Sequence, residues 1–117
     1  MADPTLSDLQ ERIRRFRDER DWAQFHTLKD LAAGIAIEAA ELQEILLWQR
    51  PDDESELLRK RRDEIEAELA DVLIQIVNFS LAADVDLGKA VLRKINENEI
   101  KYPVAEARGR AAKYPDL

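Results

Sequence analysis

A chain of 117 residues, 45% apolar and 37% charged, is long enough for one small domain with a core and too apolar for a disordered tail. Its net charge of −7 disfavours sequence-neutral nucleic-acid binding, and having no cysteine it can hold no disulfide, thiolate zinc site or cysteine nucleophile. Three Gly and four Pro are too few for a strand-and-turn fold, so the expected class is all-α. Thr5 and Asp8 have the spacing of a capping box. Leu6, Leu9, Ile13 and Phe16 then mark one face of a helix to about Arg20. Trp22, Phe25 and His26 sit in a short linker. A second helix runs from about Leu28 to Gln49 and is stopped at Arg50-Pro51. A third, from about Ser55 to Ala83, begins charged and becomes apolar nearly all round between Val72 and Leu81. A helix apolar on every side needs cover on every side, which implies a subunit interface. Asp86 caps a fourth helix whose stripe is Leu87, Val91, Ile95 and Ile100, ended by Tyr102-Pro103. The expected architecture is a four-helix up-down bundle in one domain spanning 1–117, with 104–117 as a short tail, assembling into an oligomer.

Four carboxylates stand apart from the solvated faces. With Ile35 at the centre of the second helix's stripe, Glu38 lies about 60° and Glu41 about 120° away. With Leu69 at the centre of the third, Glu68 lies about 100° and Asp71 about 160° away, on the flank of Gln75 and Phe79. Two neighbouring antiparallel helices can bring these pairs together. Converging carboxylates raise one another's pKa, and a hard divalent cation resolves the conflict. An all-oxygen donor set suits Mg²⁺, with Mn²⁺ as substitute. A lone Glu-x-x-Glu at a helix edge is ordinarily solvated; two such pairs on adjacent helices are less readily dismissed. The basic run Arg59 to Arg62 precedes Asp63, Glu64 and Glu66, so intrahelical ion pairs account for it without nucleic acid.

The pattern Glu38-x-x-Glu41, then Glu68-x-x-Asp71, resembles the MazG-like nucleotide pyrophosphohydrolases. Arg20 to His26, Glu41-Leu42, Leu47-Trp48, Glu68 to Ile74, the run Lys94…Asn98…Lys101-Tyr102-Pro103 and Arg108 to Tyr114 are similar to the dCTP pyrophosphatase branch. The resemblance covers nearly the whole chain from about Ser7. It implies an all-α homotetramer, with a dimer as the alternative. It also implies Mg²⁺-dependent cleavage of a nucleoside triphosphate between its α and β phosphates. Carried over, Glu38, Glu41, Glu68 and Asp71 become metal ligands, and Glu38 or Glu41 the catalytic base. The wider family often reads Glu-Glu-x-x-Glu; the first of those positions is Ile37 here, so no ligand comes from it.

Lys94, Asn98 and Lys101 share one face of the fourth helix and, with the resemblance, are expected to contact phosphate. Tyr102 packs there or donates its hydroxyl; Lys29 is a weaker candidate. Trp22 and Trp48, the only tryptophans, are expected to flank the base, with His26 hydrogen-bonding base or phosphate. The expected substrate is dCTP or a modified dCTP, with no nucleic-acid or membrane partner, and a cytoplasmic location. The alternatives are a dUTP or broad NTP pyrophosphatase of the same fold and a non-catalytic helical oligomerisation module.

Overall fold

The computed structural model describes residues 2–115; Met1 and the last two residues of the expected tail lie outside them. The described residues are all-α, with four long helices and no strand. Helix α1 spans Leu6–Glu19, α2 Leu28–Leu46, α3 Glu54–Ala82, α4 Leu87–Lys101 and a short α5 Val104–Ala107. Two compact units divide the chain, 1–84 with α1 to α3 and 85–117 with α4 and α5.

Side chains fix the helix starts. Thr5 Oγ1 accepts from the Asp8 amide at 3.1 Å while Asp8 Oδ2 accepts from the Thr5 amide at 2.9 Å, the expected capping box. Thr27 Oγ1 does the same for Asp30 at the start of α2, and Asp86 for Lys89 at the start of α4. Helix α2 ends three residues earlier than the spacing predicts. Leu47 leaves the helical region, and Trp48 sits at φ 70, a left-handed backbone that bulky side chains rarely adopt. Helix α3 departs from helical backbone at Arg61 (φ −121, ψ 27). Its charged first part pairs internally: Arg59 and Lys60 with Glu56, Arg61 with Glu64, Arg62 with Glu66. The basic run is therefore neutralised within its own helix, as its spacing predicts.

Within residues 1–84 the dominant packing is α2 against α3, with α1 on α3. Among the described residues, Leu31, Ile45, Leu57 and Val77 are the buried hydrophobic ones, and Val77 has no exposed surface. Gly34 explains how closely the pair approaches. A Cβ there would lie 3.1 Å from Gln75 Oε1, so the missing side chain makes room for α3.

Two expected stripes differ from the structure. Leu69, taken as the centre of the α3 stripe, is 58% exposed, and Leu73 and Ile74 are exposed too. The side of α3 that α2 covers carries the half-buried Glu68, Val72 and Gln75 instead. A run apolar all round gives periodicity nothing to select between faces. On α4, Leu87 and Ala90 are half-buried, whereas Val91, Ile95 and Ile100 are exposed. No described helix is long and apolar enough to cross a membrane.

Truncating the enclosed Val77 to Ala should cost about 2 kcal/mol of unfolding free energy. Thr5→Ala should cost about 1 kcal/mol through the lost cap. Urea denaturation followed by circular dichroism measures both.

Candidate metal centre and adjoining cavity

The antiparallel α2–α3 register builds the acidic site. Gly34 faces Gln75. One turn along α2 and one turn back along α3, Glu38 feels the charge of Asp71. A further turn brings Glu41 to Glu68. One carboxylate oxygen from each of Glu38, Glu41 and Glu68 lies within 4.8 Å of the others. The expected Asp71 is exposed and outside that trio, yet its charge bears on both Glu38 and Glu68.

Glu38 and Glu68 are half-buried, and Oε2 of each is buried without a hydrogen-bond partner. The Glu38 carboxyl is held above its ordinary pKa first by desolvation, then by Glu41 through a shared hydrogen bond and charge, then by Asp71 and Glu68. Glu68 is raised by desolvation first, then by Glu41, Asp71 and Glu64. Among the described residues no cation relieves the pair. Two orphaned carboxylate oxygens beside a third within one ion's reach fit a hard divalent cation. Glu38, Glu41 and Glu68 would hold it, with Asp71 beside them.

Next along α3 from this cluster opens a cavity of about 740 Å³ between α1, the turn after it and α3. Trp22 and His26 line it, as the sequence suggests, together with Phe16, Ile74, Gln75 and Asn78. Arg12, Arg15, Arg17 and Arg20 ring its α1 side. Trp22 meets Phe16 edge-on, ring centroids 5.7 Å apart, and the Arg20 guanidinium lies 3.6 Å from the Phe16 centroid. His26 is half-buried, with Nδ1 buried and unpartnered. Desolvation and then the Arg17 charge lower its pKa, so it is a neutral imidazole at neutral pH. Charge-neutral hydrogen bonding, not cationic phosphate binding, is what it offers.

Trp48 lies outside the cavity lining, 89% exposed on its left-handed turn. Lys94, Asn98, Lys101 and Tyr102 belong to the second unit. There Lys94 reaches Glu97 at 3.4 Å, Lys101 sits 6.0 Å from the Tyr114 ring, and the Tyr102 hydroxyl accepts from the Tyr114 amide at 2.9 Å. Lys29 is exposed on the first turn of α2. The arginines of α1 and the amides of Gln75 and Asn78 were missed by the sequence reading. Two amides inside the apolar run Val72–Leu81 were the available signal for the latter.

Residues 34–117 match the MazG-like family. This chain belongs to the MazG-like family. It is 39% identical to dCTP pyrophosphatase 1 of Bos taurus over 99% of this chain and 70% of that protein. It is 36% identical to dCTP pyrophosphatase 1 of Homo sapiens over 98% of this chain and 69% of that one. A solved pyrophosphatase from Archaeoglobus fulgidus superposes with a TM-score of 0.80 at 43% identity, covering 88% of this chain and 96% of that chain.

The raised carboxyls set a stability signature. A carboxyl whose pKa is raised by folding stabilises the fold while protonated, at low pH. That contribution is lost as pH climbs through its folded-state value. The contribution of Glu38 and Glu68 should therefore fall as pH rises above the ordinary carboxylate value of about 4.3, so that the metal-free melting temperature of Glu38→Gln gains on that of wild type over this rise. Adding Mg²⁺ at neutral pH should raise the wild-type melting temperature in a concentration-dependent way. Glu38→Gln should raise the metal-free melting temperature at neutral pH and remove most of the Mg²⁺ shift. Differential scanning fluorimetry with and without EDTA measures all three.

Proposed function

We propose that this chain hydrolyses a deoxynucleoside triphosphate, dCTP or a modified dCTP foremost, between its α and β phosphates, releasing a monophosphate and pyrophosphate. The convergence of Glu38, Glu41 and Glu68 beside an aromatic, amide-lined cavity carries the reading. Its support is a near-full-length likeness to proteins named dCTP pyrophosphatase. That extent also supports reading residues 1–117 as one catalytic domain with a tail from 104.

The mechanism follows from the chain's own groups. Glu38, Glu41, Glu68 and Asp71 hold Mg²⁺, or Mn²⁺ in its place. When bound, the ion offsets phosphate charge and lowers the pKa of a coordinated water. Glu38 or Glu41 takes the proton from the attacking water, since both place a carboxylate oxygen in the converging cluster. Trp22 gives the base an aromatic wall, where stacking contributes about 1–3 kcal/mol per base. Trp48 offers a second aromatic face that the chain's own core does not use. His26 hydrogen-bonds as a neutral imidazole. Lys94, Asn98 and Lys101 contact phosphate, with Tyr102 fixing the chain beside them. A cytoplasmic role in clearing surplus or modified nucleotides accords with this chemistry.

Assembly belongs to the same proposal. Leu69 and Leu73 form an exposed apolar face on α3, which a homotetramer, or at least a dimer, would bury. Leu73→Glu should reduce the molecular mass seen by light scattering to that of a smaller species.

Incubation with Mg²⁺ and each dNTP in turn should release pyrophosphate, most rapidly from dCTP. Orthophosphate release instead, or no release from any nucleotide, would contradict the proposal. At saturating Mg²⁺, Glu38→Gln or Glu41→Gln should lower kcat at least a hundredfold in whichever residue is the base.

A further inference from the structure

We infer that Asn78 reads the base: its side-chain amide hydrogen-bonds the pairing edge of the nucleobase seated in the cavity beside Trp22. This rests on the nucleotide reading above and adds the group that gives the cavity a preference for the amino-bearing bases cytosine and adenine.

Asn78 is only 9% exposed and follows the fully enclosed Val77. Its Oδ1 is buried with no hydrogen-bond partner. An amide oxygen left unpaired in such a place costs about 1–3 kcal/mol, which an apolar side chain of the same size would not. Ser80, the other buried polar residue, meets its own need by donating to the Val77 carbonyl at 2.7 Å. Asn78 does not, and it lines the cavity. The second orphan on that lining is Nδ1 of His26. Two residues that each keep a buried polar atom unpaired thus line the same aromatic-sided space, and a flat ligand with donors and acceptors on its rim would satisfy them.

Spacing along α3 identifies which part of a nucleotide arrives there. Asp71, Gln75 and Asn78 step by four and three, so they follow one side of the helix. From Asp71, at the acidic cluster, to Asn78 the rise is about 10 Å. That is close to the reach of a nucleoside from its 5′ oxygen to the far edge of its base. With the reacting phosphate at the carboxylates, the sugar passes Gln75 and the pairing edge meets Asn78. Oδ1 then accepts from an exocyclic amino group, and Nδ2 donates to the adjacent ring nitrogen. Cytosine and adenine present that pair, whereas uracil and guanine present a carbonyl and a ring N–H in its place.

Calorimetric titration with the monophosphates dCMP, dUMP, dAMP and dGMP tests this apart from hydrolysis. Wild type should bind dCMP and dAMP more tightly than dUMP and dGMP. Asn78→Ala and the near-isosteric Asn78→Leu should each weaken dCMP binding at least tenfold and leave the four ligands within a few-fold of one another. The melting temperature of Asn78→Leu should match or exceed wild type, because the amide has no internal partner to lose. Unchanged base ranking in both variants, a melting temperature lowered by several degrees in Asn78→Leu, or no nucleotide binding by wild type would overturn the assignment. Base-selective binding without pyrophosphate release would instead leave Asn78 as the reader and refute the hydrolase.

Discussion

Carboxylates held close together without a counter-charge dominate this molecule. Glu38, Glu41 and Glu68 place oxygens within 4.8 Å of one another, and among the described residues no lysine or arginine answers Glu38 or Glu68. Desolvation and the neighbouring carboxylates raise the pKa of Glu38 and Glu68. A fold that keeps them there gives up stability in the metal-free state and offers oxygens that could hold a hard cation.

The helix pair that imposes this arrangement is simple. A glycine at 34 lets α3 approach α2, and Gln75 occupies the space a side chain would take. From that contact the antiparallel register pairs Glu38 with Asp71 and Glu41 with Glu68. Continued the other way along α3, the same face reaches Gln75 and Asn78 at the cavity. One face of one helix thus runs from charged to polar to aromatic surroundings in the order that phosphate, sugar and base would require. The backbone strain at Trp48 sits at the end of α2 beyond Glu41, on the acidic side of this axis.

Much of this was legible in the residues. The capping box, the Asp86 cap and the intrahelical neutralisation of Arg59–Arg62 follow from spacing alone, and spacing also brings Glu38, Glu41 and Glu68 together, with Asp71 left outside the trio. What periodicity did not resolve was orientation in the apolar run. Leu69 is exposed and Glu68 is half-buried, opposite to a stripe centred on the leucine. Within a segment apolar on all sides, the hydrophobic pattern carries no direction, and the contact at Gly34 decides it. The α1 arginines were hidden for a related reason: on a charged helix they read as solvent-facing, and only tertiary packing turns them to a cavity.

Divalent-ion capture by the α2–α3 carboxylates is the central claim, and anomalous scattering from a crystal grown with Mn²⁺ tests it most directly. The account predicts a strong anomalous peak within coordination distance of Glu38, Glu41 and Glu68. A well-ordered site with no such peak, or manganese bound only elsewhere on the protein, would contradict it.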